Sequence, residues 1–215
     1  VTITGGGTVV RGSSGAYFKI GSGASLTVDG ITVDGNSTSS TYSMFDVNSG
    51  TPALKNSTVQ NCVKSTSYGG AMDISGGTLT IENTIIKNCS ATNYGGAIYL
   101  ADGTDATINS GTFSGNKTTS SGSYGGGFIY NRVSTLTIKG GTFQNNSSAA
   151  RGGAIYNAGL ANTKTYIRNG VFLGNTSSYS GYEGSGAIFF SSENTADTVL
   201  YISGSVRFGD GTEHG

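Results

Sequence analysis

An internal repeat of about 27 residues constrains this chain more than any other feature of its sequence. Three motifs recur in the same order in each repeat. The first is a glycine pair followed by apolar residues, as in 69–72, 95–98 and 152–155. The second alternates apolar and polar residues, as in 79–81, 106–108 and 136–138. The third places an aromatic residue three positions before an asparagine, as in 113–116, 143–146 and 172–175.

Each repeat therefore contains three short segments with the two-residue period of a β-strand. Between the second and third segments stand turn residues such as Asp29-Gly30, Asn56-Ser57 and Asn83-Thr84, which tolerate a positive φ. Three strands and three turns make one coil of a solenoid, and parallel crossovers are right-handed. The sequence thus predicts an all-β, right-handed parallel β-helix of about eight coils, with equivalent strands about 4.8 Å apart.

One such domain accounts for residues 1–215. Proline occurs once and charged residues make up 11%, yet 12 Tyr and 9 Phe are too many for a solvated linker. The pattern runs through both termini, and no signal peptide is visible, so we expect a fragment of a larger surface protein. Lengthening of the repeat is confined to polar stretches such as 118–124 and 176–184, which predicts loops on one side of the solenoid.

Alternation within the strands predicts which side chains point inward. The core columns of the first strand are expected to contain Phe45, Met72, Ile98 and Ile129, and those of the third strand Val33 through Phe172. Asn131 and Asn157 fall on an inward position of adjacent coils, which favours an amide ladder along the stack. Asn116, Asn146 and Asn175 are expected to form a similar ladder in a turn.

The glycine-pair motif, as Gly-Gly-Ala-Ile at 95–98 and 152–155, together with Phe-x-x-Asn at 113–116, 143–146 and 172–175, resembles the repeats of chlamydial polymorphic outer-membrane proteins. The similarity covers roughly residues 54–190. Related β-helices occur in other bacterial and archaeal surface proteins. The resemblance implies a β-helix exposed on a cell surface and a role in adhesion.

Several kinds of chemistry find no support in the sequence. The single histidine, His214, disfavours a histidine triad, and two cysteines do not suffice for a structural zinc site. No P-loop or other cofactor motif occurs, so we expect no metal and no cofactor. Twelve basic and twelve acidic residues give no net charge, which disfavours nucleic acid as a partner. Without a run of ~18 apolar residues, this segment is not expected to insert into a membrane.

The outward column of the first strand begins with Lys19, Asp46 and Asp73. Asp46 and Asp73 would lie about 4.8 Å apart on neighbouring coils. Two carboxylates at that distance suit the acid/base chemistry of a β-helical polysaccharide lyase or glycoside hydrolase. The alternatives are a solvated pair partly neutralised by Lys19, or ligands of a metal ion.

The same column continues as Tyr99, Tyr130, Tyr156 and Phe189. An exposed aromatic stripe on a rigid face is a platform for sugar rings or a partner protein, and the loops 118–124 and 176–184 could form its walls. The alternative is a self-stabilising aromatic ladder, or one covered by an adjacent loop.

Cys62 and Cys89 occupy equivalent positions of neighbouring coils. A separation near 4.8 Å lies within the Cα range of a disulfide, about 4.4–6.8 Å, but parallel side chains do not favour the required dihedral angle. A disulfide and a ladder of reduced thiols both remain open.

These observations lead us to expect an extracellular, non-catalytic binding or adhesin module of a microbial cell surface, with a glycan or a host surface protein as its partner. A polysaccharide-degrading enzyme using Asp46 and Asp73 is one alternative. An ice-binding or purely structural solenoid is another, because Thr27, Thr80, Thr107 and Thr137 form an outward column, which Ala53 and Tyr166 interrupt. The sequence does not predict an oligomeric state.

Overall fold

The computed structural model describes residues 1–122, 124–180, 186–191 and 197–209. It is an all-β solenoid of parallel strands, which confirms the predicted fold class. Asp210 and His214 lie outside the described residues, as does part of the predicted loop 176–184. The described residues contain no helix long and apolar enough to cross a membrane.

Three strands per coil stack into three faces. Two long strands, Met72–Glu82 and Ile98–Ile108, turn the corner between the first and second faces and belong to both. The other strands of the first face are Phe18–Ile20, Phe45–Asn48, Ile129–Asn131, Ile155–Asn157 and Ile188–Phe190. Those of the second face are Thr2–Thr4, Ser25–Asp29, Thr51–Lys55, Thr135–Ile138, Lys164–Ile167 and Val199–Ile202.

Within the described residues, the third face has eight strands, one from each coil: Thr8–Val10, Thr32–Asp34, Thr58–Gln60, Thr84–Lys87, Gly111–Ser114, Thr142–Gln144, Gly170–Leu173 and Val206–Gly209. In six of the described coils it is followed by a fourth, two-residue strand, which the sequence did not predict: Ser39–Ser40, Val63–Lys64, Ser90–Ala91, Lys117–Thr118, Ser147–Ser148 and Thr176–Ser177. This short strand sets the direction in which the chain leaves for the loop before the next coil.

The turn between the second and third faces takes the backbone conformation that its residues predicted. Gly30, Asn56 and Asn83 have φ values of 72°, 48° and 46°. Asn is among the few non-glycine residues that adopt this left-handed region at low cost. Lys55 and Glu82, just before two of these turns, form an exposed ion pair at 3.8 Å, which contributes at most about 1 kcal/mol.

The predicted core columns are buried. The third-face column fills the interior with Val33, Val59, Ile86, Phe113, Phe143 and Phe172, each fully buried. Phe143 and Phe172 stack with ring centroids 4.5 Å apart. Because each coil leaves an apolar layer that only the next coil covers, neighbouring coils stabilise one another.

Both predicted asparagine ladders are present; all of their members are buried except Asn175, which is half-buried. Asn146 Nδ2 donates to Asn175 Oδ1 at 2.9 Å and to the carbonyl of Phe113, also at 2.9 Å. Asn131 Nδ2 donates to Asn157 Oδ1 at 2.9 Å inside the core. The amides of Asn116, Asn146 and Asn175 donate to backbone carbonyls of the preceding coil, and that of Asn131 donates to the Lys164 carbonyl, so they serve the fold.

The glycine pairs allow adjacent coils to approach each other closely. A Cβ on Gly96 would lie 2.2 Å from the carbonyl oxygen of Gly127 and 2.5 Å from that of Lys117, so backbone would have to move. Gly95 beside it has a φ of 65°. The motif therefore fixes how tightly the loop before the first strand packs on the next coil.

We predict that Gly96→Ala lowers the free energy of unfolding by about 3 kcal/mol or more, because the methyl group meets backbone and not a flexible side chain. Gly21→Ala is the matched control, since its Cβ would meet nothing within 4 Å and its φ is not positive. Urea unfolding followed by circular dichroism measures both. Equal stability of the two variants would contradict the close packing of these coils.

Candidate functional site: a tyrosine-lined cavity

The predicted aromatic column forms as expected on the first face. Tyr99 pairs in register with Tyr130, Tyr130 with Tyr156, and Tyr156 with Phe189. The ring centroids of successive members lie 5.8, 4.7 and 4.9 Å apart. The stack is a direct consequence of the parallel register, which places equivalent side chains above one another.

The prediction that this column is exposed is wrong. Tyr99, Tyr130 and Tyr156 are 8%, 3% and 4% exposed. They are covered from the side by a second set of tyrosines in the loops that precede the first-face strands: Tyr68, Tyr94 and Tyr124. The alternative of a column covered by an adjacent loop is therefore correct, and the loop 118–124 supplies one part of that cover through Tyr124.

The loop tyrosines contact the column through several ring pairs. The ring centroid of Tyr68 lies 4.6 Å from that of Tyr99. The ring of Tyr94 packs edge-on against that of Tyr130, with centroids 5.0 Å apart and an interplanar angle of 88°. Tyr124 lies 4.9 Å from Tyr94. Each of the three immediately precedes a glycine pair. This Tyr-Gly-Gly motif can be found in the sequence. Only the packing of the loops shows that the tyrosine ring of the motif points toward the column.

Stacking leaves the column tyrosines without free ring faces. Tyr99 lies between Tyr68 and Tyr130, Tyr130 between Tyr99 and Tyr156, and Tyr156 between Tyr130 and Phe189. Tyr99 and Tyr130 can therefore present to a ligand their ring edges and hydroxyl groups. The flat platform for sugar rings that the sequence suggested is absent at these three residues.

The two sets of tyrosines enclose a cavity of about 500 Å³. This volume is within the range of small-molecule sites, about 300–1,000 Å³. Its lining consists of Tyr68, Tyr94, Tyr99, Tyr124, Tyr130, Tyr156, Arg132, Ala158, Gly159, Leu160 and Ser191. Six of these eleven residues are tyrosines, so the cavity joins aromatic edges to a set of hydroxyl groups.

Arg132 places a positive charge at the cavity. Its guanidinium is paired with Asp102, and both side chains are substantially exposed, at 40% and 58%. The same guanidinium is close enough to Tyr99 to favour the ionised form of its hydroxyl. Among the described residues lining the cavity, Arg132 alone carries a formal charge. Sequence reasoning missed it because nothing in the repeat distinguishes this arginine from a solvated one.

The hydroxyls of Tyr94, Tyr99 and Tyr130 remain protonated at neutral pH. Burial raises the pKa of Tyr99 to about 12, although the Arg132 guanidinium opposes that rise. Burial, followed by the neighbouring Tyr156 and Tyr94, raises the pKa of Tyr130 further. Burial also raises the pKa of Tyr94. The cavity is therefore rich in O–H donors.

Asp46 and Asp73 lie on adjacent coils in register, as predicted, and Lys19 is next to Asp46 in the same column. The partner that the sequence did not reveal is Lys64. Its Nζ lies 2.9 Å from Asp73 Oδ2 and 3.1 Å from Ser43 Oγ, with the side chain only 6% exposed. Asp73 is thus the counterion of a buried ammonium, a role that opposes its use as a free acid or base. In the described part of the chain no three His, Cys, Asp or Glu side chains cluster as metal ligands.

Cys62 and Cys89 are buried free thiols in the structure. Each Sγ lies near the backbone carbonyl two residues earlier, at 3.3 Å from Gln60 and 3.4 Å from Lys87. The pKa of the Cys62 thiol is raised well above its usual value by its hydrogen bond with Cys89 and by burial. The interaction with Cys89 and the burial both oppose formation of the Cys62 thiolate, and they thus oppose its reactivity.

Comparison with known proteins does not assign the chain to a group: no family model matches it, and no match was found among curated proteins or solved structures.

We predict that Ellman's reagent labels neither cysteine in the native protein and labels two thiols per chain in denaturant, because Cys62 and Cys89 are buried and reduced. The measurement is the absorbance of the released thiolate under both conditions, on protein purified without a reductant. Failure to label in denaturant, with a mass lower by the two thiol hydrogens, would show a disulfide instead.

We predict that the free energy of unfolding falls between pH 10 and pH 12. In that range the unfolded chain loses tyrosine protons at its ordinary pKa, about 10, while folded Tyr99 keeps its proton up to a pKa of about 12. The unfolded state then binds fewer protons, so rising pH favours it. Tyr99→Phe should flatten this pH dependence, whereas Tyr42→Phe, at an exposed tyrosine, should leave it unchanged. An identical slope in all three proteins would contradict the burial of Tyr99.

Proposed function

We propose that this chain is a non-catalytic, extracellular binding module of a microbial cell surface, and that it holds part of a glycan in the tyrosine-lined cavity. The observation that carries the proposal is the cavity itself: about 500 Å³, enclosed by two columns of tyrosines on a rigid stack of coils. Its size suits one or two sugar rings better than a protein surface, which favours a glycan over a host surface protein as the direct ligand.

The construction of the site supports recognition more than catalysis. Its hydroxyl groups are fixed by ring stacking, so a ligand that hydrogen-bonds them costs little ordering entropy in the protein. The carboxylate of Asp73, which a hydrolase or lyase would need, is engaged by Lys64. The surface location rests on the resemblance of the Gly-Gly-Ala-Ile and Phe-x-x-Asn repeats to those of surface β-helices.

We predict that the protein binds at least one glycan of a broad immobilised panel, and that Tyr124→Ala weakens this binding about tenfold or more. Tyr124 lines the cavity yet is 44% exposed, so its truncation should spare the fold. Tyr42→Ala is the matched control, because Tyr42 is equally exposed, precedes the first-face strand of an earlier coil and lies outside the cavity lining. Biolayer interferometry measures the affinities.

Two results would count against this proposal. Equal weakening by Tyr124→Ala and Tyr42→Ala would place the binding surface elsewhere on the solenoid. The protein should also be incubated with the polysaccharides of the panel. Release of new reducing ends or unsaturated products by the native protein, but not by the Asp46→Asn variant, would instead indicate a polysaccharide-degrading enzyme.

A further inference from the structure

We infer that the cavity is selective for acidic saccharides, whose carboxylate or sulfate group is bound by Arg132 and the adjoining tyrosine hydroxyls. The inference rests on the proposed glycan binding and specifies its ligand class. It follows from the direction in which the aromatic rings face, from the hydrogen-bond donors of the cavity and from its charge.

The ring geometry favours an anion over a cation. The faces of Tyr99, Tyr130 and Tyr156 are covered by neighbouring rings, so these residues offer their edges. An aromatic ring carries negative potential on its faces and positive potential at its edge. A cage for a quaternary ammonium group needs open faces, and here Arg132 would also repel such a ligand.

Every hydrogen-bonding side chain of the lining can donate: the tyrosine and serine hydroxyls donate and accept, and the Arg132 guanidinium only donates. A guanidinium has five N–H groups and accepts nothing. One of them is engaged with Asp102. The Tyr99 hydroxyl also lines the cavity and keeps its proton at neutral pH, because burial raises its pKa to about 12. The neighbouring Tyr130 hydroxyl is likewise protonated. A carboxylate or sulfate has the acceptor oxygens that such a set requires.

Asp102 competes with an acidic ligand for the Arg132 guanidinium, but it competes weakly. An ion pair this exposed contributes at most about 1 kcal/mol, since water screens both groups. A bidentate contact of Arg132 with a carboxylate in the partly enclosed cavity is stronger than such a surface pair. An acidic ligand can therefore displace or share Asp102, while sugar hydroxyls reach the remaining tyrosines and Ser191.

The test uses isothermal titration calorimetry on the 215-residue protein and compares pairs of related sugars, of which one member carries an anionic group and the other is neutral. The pairs are digalacturonate with its dimethyl ester and galactose 6-sulfate with galactose. We expect the acidic member of at least one pair to bind about tenfold more tightly at low salt, and this preference to shrink as salt rises. The pair that shows the effect distinguishes a carboxylate from a sulfate.

Arg132→Gln should abolish the preference, so that the acidic and the neutral member of the pair bind with similar affinity. Lys139→Gln, at an exposed cation outside the cavity lining, is the matched control and should retain the preference. The thermal midpoint of each variant confirms that it is folded. Arg132→Lys, which keeps the charge but loses the fork of donors, should retain only part of the preference.

The outcomes separate this inference from the proposed function. Equal affinity for charged and neutral probes, unaffected by Arg132→Gln, would overturn acid selectivity and leave glycan binding in place. Tighter binding of a nucleoside monophosphate than of any saccharide would overturn the ligand class. Failure of every saccharide, here and on the panel, would overturn both proposals.

Discussion

The in-register stacking of successive coils is the interaction on which the rest of this structure depends. Parallel backbone hydrogen bonds hold equivalent residues of neighbouring coils side by side, so a periodic sequence becomes a set of continuous side-chain columns. Apolar columns fill the interior, and asparagine columns satisfy backbone groups at the turns. The outward-pointing column of tyrosines follows from the same constraint, because the register pairs Tyr99 with Tyr130 and Tyr130 with Tyr156.

The cavity arises where a second column meets the first. The glycine pairs let the loop before the first-face strand approach the neighbouring coil, and the tyrosines that precede three of these pairs, Tyr68, Tyr94 and Tyr124, turn over the outer column. An exposed stripe thereby becomes an enclosed site with covered ring faces and available hydroxyl groups. The change matters for function, because a donor-rich cavity with Arg132 selects ligands by charge, whereas a flat aromatic platform would select them by stacking.

The sequence predicted the side-chain columns that the repeat determines. It did not predict contacts between residues at different positions of neighbouring repeats. Inward columns, the asparagine ladders and the Asp46–Asp73 register all follow from counting positions, because the strand period and the coil length are fixed. The sequence did not predict Lys64 as the partner of Asp73, because Lys64 lies in a short strand and its side chain reaches Asp73 across a corner of the coil. The burial of Tyr99 was missed for a related reason: it depends on the direction of a loop, which the period does not determine.

The most direct test of this account is the network of ring contacts around Tyr130, measured as nuclear Overhauser effects in protein with ring-labelled tyrosine. The account predicts cross-peaks from Tyr130 to Tyr156, whose ring centroid is 4.7 Å away, and to the loop residue Tyr94 at 5.0 Å. Cross-peaks to Tyr156 without any to Tyr94 would leave the column open to solvent. Absence of both would contradict the stacked coils themselves.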